Sequence, residues 1–408
     1  MDAGSFALVL GCVFLWAVLS TRAERAYLSA PIVFVAVGWL LAEGLDVLHP
    51  GHEAVKVVAE TTLVWVLFAD ASKVQISKLR SDAALYVRLL GVGLPLTVGL
   101  GTLMAVVLLD MTPWTALLVG AALAPTDAAL GAAVMTDPHV PVQRRRLLNV
   151  ESGLNDGIAT PVVLLAIAGI AAENGIAGID TPGHAAVSLL VGVFVGVGIG
   201  LAGGLLTRGA RRRGWLSEDF AGPGVLALAL MIYATAVHVD GNGFVAAFIG
   251  GLAFGATAGR GGVKEVEYVE QTAGLAAALS WLLFGAVAVA GLRDDVSWTV
   301  VGYAVLSLTL VRMLPVAVCL LGAGFDRSTV VFVGWFGPRG LASVIFALLA
   351  LEDLHGAAHE AAAVIALTVL FSVIAHGLTA TPLAARYGRT EASAGPPAAA
   401  VARHPSGE

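Results

Sequence analysis

The sequence predicts an all-α polytopic membrane protein with about thirteen transmembrane helices. Of its 408 residues 58% are hydrophobic and 13% are charged, and the charged residues concentrate in short segments between long apolar runs. Runs of about 20 apolar residues are long enough to cross a hydrocarbon core roughly 30 Å thick as helices. Helices are expected because every backbone polar group must be satisfied internally in lipid.

The predicted spans follow the apolar runs in order. They cover residues 4–20, 27–42, 54–71, 84–109, 113–134, 148–171, 184–207, 221–239, 242–258, 272–291, 297–321, 329–350 and 360–381. The first follows Asp2 rather than a basic segment, which favours a retained helix over a cleaved signal peptide. Residues 1–385 are thus predicted to form the transmembrane domain. Residues 386–408, rich in Ala, Pro, Ser and Gly, are predicted to be a short disordered cytoplasmic tail.

Orientation is predicted by the basic residues. When loops are assigned alternately to two sides, most of the 23 Lys and Arg residues fall on one side. By the positive-inside rule that side is cytoplasmic, the amino terminus is outside and the carboxyl terminus is inside. The arginine clusters 144–146 and 211–213 are interpreted as topology determinants that face lipid headgroups rather than nucleic acid. No phosphate-binding loop ending in Lys-Ser or Lys-Thr occurs, so nucleotide is not expected as a partner.

The seventh span carries glycines at intervals of four residues, Gly192, Gly196, Gly200 and Gly204. Such a stripe lets two helix backbones approach closely in lipid, so it predicts helix packing rather than ligand contact.

Two other spans contain a proline in their middle. The fifth carries Ala124-Pro125-Thr126-Asp127 and the twelfth carries Gly337-Pro338-Arg339-Gly340. Proline removes a backbone donor and clashes with the preceding turn, so both helices are predicted to be interrupted there. Two broken helices at similar depth are typical of inverted-repeat transporters, which bind ions at the exposed helix ends.

The sixth span places polar side chains deep in an apolar run. Glu151, Ser152, Asn155 and Asp156 share one helix face, and Asp156 is expected about 13 Å into the membrane. Ionisable groups at that depth usually mark an ion or proton pathway. With Asp127, these acids make the site cation-seeking and too negative to stay ionised when empty.

The residues therefore predict a site where Asp156 holds either a proton or a cation such as Na+. Oxygen ligands suit a hard monovalent cation, and the carboxylates of Asp127 and Asp156, the hydroxyls of Thr126 and Ser152 and backbone carbonyls near Thr126 would supply them. Arg339 is predicted to pair with Glu151, because an unpaired guanidinium at this depth is too costly. Asn155, one turn away, is predicted to orient Glu151.

Each residue has a structural alternative. Glu151 and Asp156 could be first-turn acids that favour the helix dipole. Asp127 could satisfy backbone groups freed by Pro125, Arg339 could line the ion path, and the Thr126 and Ser152 hydroxyls could bond to their own helices. Asp70, near the cytoplasmic end of the third span and a few residues from Lys73, is either a snorkelling or pathway-mouth acid or a cation ligand. His238 and His376 lie near span ends, where histidines are ordinarily satisfied at the interface.

At these residues the chain resembles the NhaP/NHE-like monovalent cation:proton antiporters, the sodium/hydrogen exchangers. The resemblance rests on Ala124-Pro-Thr-Asp127, Glu151-Ser-Gly-Leu-Asn-Asp156, Gly337-Pro-Arg-Gly340 and His376-Gly-Leu-Thr. It implies electroneutral exchange of Na+ for protons, with Asp156 as carrier and Asp127, Thr126 and Ser152 completing the site. It also implies a buried Glu151 and Arg339 pair, a homodimer and no cofactor beyond the transported ions.

The predicted function is secondary active antiport of protons against Na+, with Li+ or K+ as further candidates, by alternating access in the cell membrane. The main alternative is a passive cation channel or uniporter on a similar scaffold. An intramembrane hydrolase using Ser152 and His376 is disfavoured, because no Gly-x-Ser-x-Gly elbow surrounds Ser152. The chain is therefore not expected to be an enzyme.

Overall fold

The computed structural model describes residues 3–25, 28–74, 83–128, 130, 134–135, 140–179, 181–259, 262–293 and 296–394. Every regular element in these ranges is a helix. Parts of the fifth predicted span, the basic residues Lys78, Arg80, Arg260 and Arg403, and residues 395–408 of the predicted tail lie outside the described residues.

We number the helices in chain order. They are α1 Ala3–Arg25, α2 Ala30–Trp39, α3 His52–Ser72, α4 Ala83–Leu109, α5 Pro113–Ala122, α6 Val142–Asn174, α7 Pro182–Arg212, α8 Glu218–His238, α9 Gly243–Ala258, α10 Gly262–Phe284, α11 Trp298–Leu320, α12 Arg327–Trp335, α13 Leu341–Leu354 and α14 His359–Ala394. Short π-helical turns extend α2 and α10 and lie within α4, and α11 is broken at Thr309.

Eight helices in the described ranges are long and apolar enough to cross a membrane by length and composition, and Ala30–Gly44, Pro113–Ala122 and Gly243–Ala258 are shorter apolar helices. The prediction of an all-helical membrane protein is therefore confirmed. The count of thirteen spans stays a prediction. The last helix continues to Ala394. The start of the segment predicted to be a disordered tail, residues 386–394, is therefore helical.

The glycine stripe of α7 packs against α9, as the sequence predicts. A Cβ at Gly192 would lie 2.5 Å from the carbonyl oxygen of Asn242, and one at Gly200 would lie 2.4 Å from that of Gly250. The opposite face of α7 is apolar and open, with Phe194 76% exposed. One face thus lets backbones touch, and the other suits lipid contact.

The short connection between α8 and α9 separates two distinct helices. Asp240 has a left-handed backbone conformation with φ of 54°, and the side chain of Asn242 accepts a hydrogen bond from the N–H of Val245 in the first turn of α9 at 2.9 Å. The turn residue and the N-cap together end one helix and begin the next.

Candidate functional site

The non-helical segments that follow α5 and α12 are joined directly. α5 ends at Ala122, because Pro125 disfavours a helical conformation of the residue before it, and α12 ends at Trp335 ahead of Pro338. The backbone N–H of Asp127 donates to the carbonyl of Pro338 at 2.8 Å. The non-helical segments that contain Asp127 and Pro338 therefore lie side by side.

Asp127 accepts hydrogen bonds from the backbone with both carboxylate oxygens. Oδ1 accepts from the N–H of Leu130 at 3.2 Å, and Oδ2 accepts from the N–H of Leu341 at 2.8 Å. Leu341 begins α13, where free N–H groups and the helix dipole favour a negative charge. A Cβ at Gly340 would lie 1.9 Å from Oδ2, so glycine permits this approach. The backbone role that the sequence left as an alternative is thus one that Asp127 performs.

Arg339 performs the matching role at the end of α5. Its side chain is fully buried, and Nη1 donates to the carbonyls of Ala124 at 2.9 Å and Pro125 at 3.2 Å. Its backbone N–H donates to Oγ of Ser372 on α14 at 2.6 Å. A cation is favourable there because the last carbonyls of a helix carry partial negative charge. Two carbonyls that the sequence offered as cation ligands therefore already accept hydrogen bonds.

The predicted pair between Glu151 and Arg339 is wrong: Glu151 pairs with Arg312. Oε1 of Glu151 accepts from Nη1 of Arg312 at 2.6 Å, and the two side chains are 5% and 6% exposed. The approach depends on Gly337, because a Cβ there would lie 2.2 Å from Nε of Arg312. Nη1 of Arg339 donates to the carbonyls after α5, and the arginine inside α11 neutralises Glu151 instead.

Three predicted site residues form one hydrogen-bonded group. The hydroxyls of Thr126 and Ser152 are 2.9 Å apart, and Nδ2 of Asn155 donates to the Thr126 hydroxyl at 2.7 Å. All three side chains are buried. The prediction that Asn155 orients Glu151 is therefore wrong, because its amide donates across to Thr126. Asn155 positions the Thr126 hydroxyl against α6.

Asp156 is buried beside this group. Its side chain is 9% exposed, and Oδ1 has no hydrogen-bond partner among the described residues. A Cβ at Gly157 would lie 2.2 Å from the ring of Phe248 on α9, so an aromatic side chain packs directly on the next residue of α6. The apolar packing and the free oxygen leave this carboxylate in need of a proton or a cation.

Asp70 approaches the site from α3. Its Cβ lies 3.8 Å from where a Cβ would stand on Gly153, the residue that follows Ser152. Among the described carboxylates, those of Asp70 and Asp127 act electrostatically on Asp156. The structure thus brings the acid that the sequence left open to the same surface of α6.

His376 takes part in the support of the α12 end. Its Nε2 lies 2.9 Å from the carbonyl oxygen of Trp335, and its Nδ1 lies 2.9 Å from that of Ser372. Its hydrogen bonds are to these two residues, and Ser152 bonds to Thr126. The Ser152 and His376 arrangement that a hydrolase would need is not formed.

Sequence reasoning missed three residues that hold the site together. Arg312 pairs with Glu151, Ser343 donates to the carbonyl of Ala122 at 2.6 Å, and the Ser372 hydroxyl accepts from the backbone N–H of Arg339. An intramembrane arginine is a signal that could have pointed to Arg312. The two serines carry no such signal, because serine is common in membrane helices.

Comparison with known proteins shows which family the chain belongs to. The sequence model of a protein family, described as the transmembrane sodium/hydrogen exchanger, matches residues 10–386 of this chain. The chain belongs to the sodium/hydrogen exchanger family. It is similar to a K+/H+ antiporter NhaP of Alkalimonas amylolytica, with 25% identity over 353 residues that cover 84% of this chain and 59% of the relative. It is also similar to a Na+/H+ antiporter NhaH of Halobacillus dabanensis, with 28% identity over 302 residues that cover 69% of this chain and 70% of the relative.

This family member also resembles a solved structure. The sodium proton antiporter MjNhaP1 of Methanocaldococcus jannaschii aligns with a TM-score of 0.73 and 19% identity over 94% of this chain and 98% of that one. The predicted antiporter family and its fold are therefore confirmed. Against the K+/H+ antiporters NhaP of Alkalimonas amylolytica and NhaP2 of Shewanella oneidensis, the chain spans somewhat under two thirds of their length.

Proposed function

We propose that this protein exchanges protons for a monovalent cation across the cytoplasmic membrane, with Na+ as the first candidate and Li+ or K+ as the others. The observation that carries the proposal is Asp156, a buried carboxylate whose Oδ1 has no hydrogen-bond partner among the described residues. It lies on the same helix as Ser152, whose hydroxyl is bonded to that of Thr126. Family membership and the antiporter names of the relatives support the same activity.

Asp156 is the carrier in this proposal. It takes up a proton when the site faces outward, and it releases that proton for a cation when the site faces the cytoplasm. Thr126 and Ser152 supply hydroxyl ligands, Asp127 supplies a second carboxylate, and Asn155 fixes the Thr126 hydroxyl. One proton replaces one cation on one carboxylate, so each cycle moves no net charge. The transported ions are the only ligands required, and no separate cofactor takes part.

The same proposal extends to the assembly. The apolar runs support thirteen spans, and the two proline-containing interruptions support an inverted-repeat arrangement. The positions of the basic residues support an outside amino terminus and a cytoplasmic carboxyl terminus. The two adjacent helix ends at Asp127 and Arg339 are the feature that inverted-repeat transporters use to hold ions. A homodimer is expected by analogy with the sodium/hydrogen exchangers that the chain resembles.

The test is proton flux in liposomes that contain the purified protein. A pH gradient is imposed, Na+, Li+ or K+ is added, and the recovery of a pH-sensitive dye is followed together with membrane potential. We expect at least one cation to collapse the gradient without current, and Asp156→Asn to abolish this. Asp219→Asn, which removes an exposed acid from the first turn of α8, is the matched control and should retain exchange.

Two results would contradict the proposal. A cation current without coupled proton movement would indicate a passive channel or uniporter. Equal exchange by the Asp156→Asn variant would remove Asp156 from the carrier role.

A further inference from the structure

Lys73 lies between two carboxylates at the end of α3. Its Nζ is 2.7 Å from Oε1 of Glu270 on α10 and 3.9 Å from Oδ1 of Asp70, one turn earlier on its own helix. The first distance is that of a close ion pair, and the second lies beyond hydrogen-bond range. The ammonium is therefore held by Glu270 within reach of Asp70.

Asp70 interacts both with this ammonium and with Asp156, the proposed carrier. Its carboxylate acts electrostatically on Asp156, as does that of Asp127, and its Cβ faces the backbone of Gly153. The side chains of Asp70 and Lys73 are 34% and 40% exposed, so a cation from the solvent can reach the same oxygens. By the predicted orientation this is the cytoplasmic end of α3.

A lysine ammonium and a hydrated monovalent cation seek the same carboxylate oxygens. Lysine carries its charge on a flexible stem with four carbons, so a change of side-chain rotamer moves the charge without moving the helix. The two positions of the Lys73 ammonium have different consequences for cation binding. On Glu270 the ammonium leaves Asp70 open to a cation, and on Asp70 it occupies the position that the cation would take.

We propose that Lys73 is a tethered competitor of the transported cation at Asp70, and that Glu270 sets how strongly it competes. This inference rests on the proposed exchange activity and deepens it, because it assigns a specific determinant of apparent cation affinity. Asp70 is the entry ligand, Lys73 is the competing charge, and Glu270 is a positioning residue that acts through Lys73.

Two neutralising variants that should shift the KM for Na+ in opposite directions test the proposal. Lys73→Gln removes the competitor, so the KM for Na+ should fall about two- to fivefold, the change expected from a partly exposed ion pair. Glu270→Gln releases the ammonium toward Asp70, so the KM should rise by a similar factor. The double variant has no ammonium for residue 270 to position, so its KM should equal that of Lys73→Gln alone.

Two controls separate this effect from surface charge in general. Glu267→Gln removes an exposed acid one turn from Glu270 on the same helix, and Lys264→Gln removes an exposed lysine on that helix. Both should leave the KM within the error of the wild type when ionic strength is kept constant. All four side chains are partly or well exposed, so the amide variants are expected to fold.

A second measurement keeps the test independent of transport. The rise of the unfolding temperature with Na+ concentration gives an apparent Kd for the purified protein, and the same variants should shift that Kd in the same directions. If the wild type exchanges cations but neither variant moves KM or Kd, or both move them the same way, the role of Lys73 is refuted. If the Kd shifts appear and the wild type exchanges nothing, the exchange proposal fails and the competition at Asp70 stands.

Discussion

The pair between Glu151 and Arg312 gives the sharpest test of how the site is held together. Arg312→Met removes one charge of a pair in which both side chains are at most 6% exposed. The remaining carboxylate would be buried without its cation, and breaking a buried pair in this way typically costs about 3–5 kcal/mol. Methionine fills much of the arginine volume, so the loss comes from charge rather than from a cavity.

The geometry also predicts the outcome of removing both charges. Oε2 of Glu151 and both Nε and Nη2 of Arg312 have no hydrogen-bond partner among the described residues, so the pair recovers only part of its desolvation cost. Replacing both residues by apolar ones of similar size should therefore be close to neutral. Glu151→Met with Arg312→Met should recover most of the stability that Arg312→Met alone loses.

The assay is thermal unfolding of the purified protein in detergent at a fixed scan rate. A loss of about 3–5 kcal/mol corresponds to a decrease of the midpoint by roughly 4–6 °C for a chain of this length. Arg208→Met, at an exposed arginine of α7, should leave the midpoint unchanged. An Arg312→Met protein as stable as the wild type, or a double variant less stable than Arg312→Met, would refute the reasoning.

Three further predictions follow from particular contacts. Gly340→Ala should abolish exchange, because its Cβ would lie 1.9 Å from Oδ2 of Asp127 and displace that carboxylate from α13, whereas Gly198→Ala, with open space around its Cβ, should exchange like the wild type. Gly200→Leu should reduce the folded yield, since even a Cβ would lie 2.4 Å from a backbone oxygen of α9, and Leu201→Ala, on an exposed position, should not. Asp326 caps α12 through the hydroxyl and N–H of Thr329, which lower the pKa of its carboxyl. Its contribution, about 1 kcal/mol for a helix cap, should be present above the unfolded pKa of about 4 and be lost as pH falls through the lower folded value. Asp326→Asn should lack that acid step in the unfolding midpoint.

The sequence allowed most of the helices and the buried face of α6 to be predicted, because both depend on local information. Apolar run length predicts a helix in lipid, and Pro125 and Pro338 predict where helical backbone stops. The positions of Ser152, Asn155 and Asp156 on one face follow from helix geometry alone. Each of these side chains is buried in the structure.

The partners of the charged residues could not be predicted in the same way. Whether Glu151 meets Arg312 or Arg339 depends on which helices cross beside α6, and two arginines in different spans are equivalent when only their depth is known. Arg339 is committed elsewhere because α5 ends beside it and offers free carbonyls. The sequence predicts only Glu151 as a partner of Asn155, and the contact with Thr126 exists because the segment after α5 lies against α6.

These contacts explain why Asp156, rather than another acid of the cluster, suits the carrier role. Glu151 is neutralised by Arg312, and both oxygens of Asp127 accept backbone N–H groups, one of them at the start of α13. Both carboxylates therefore have fixed partners in the protein that stabilise their negative charge. Asp156 has a buried oxygen without a hydrogen bond among the described residues, so its charge is balanced only by what binds there. A proton and a small cation both satisfy that need, and they exclude each other on the same oxygen, which is the coupling that exchange requires.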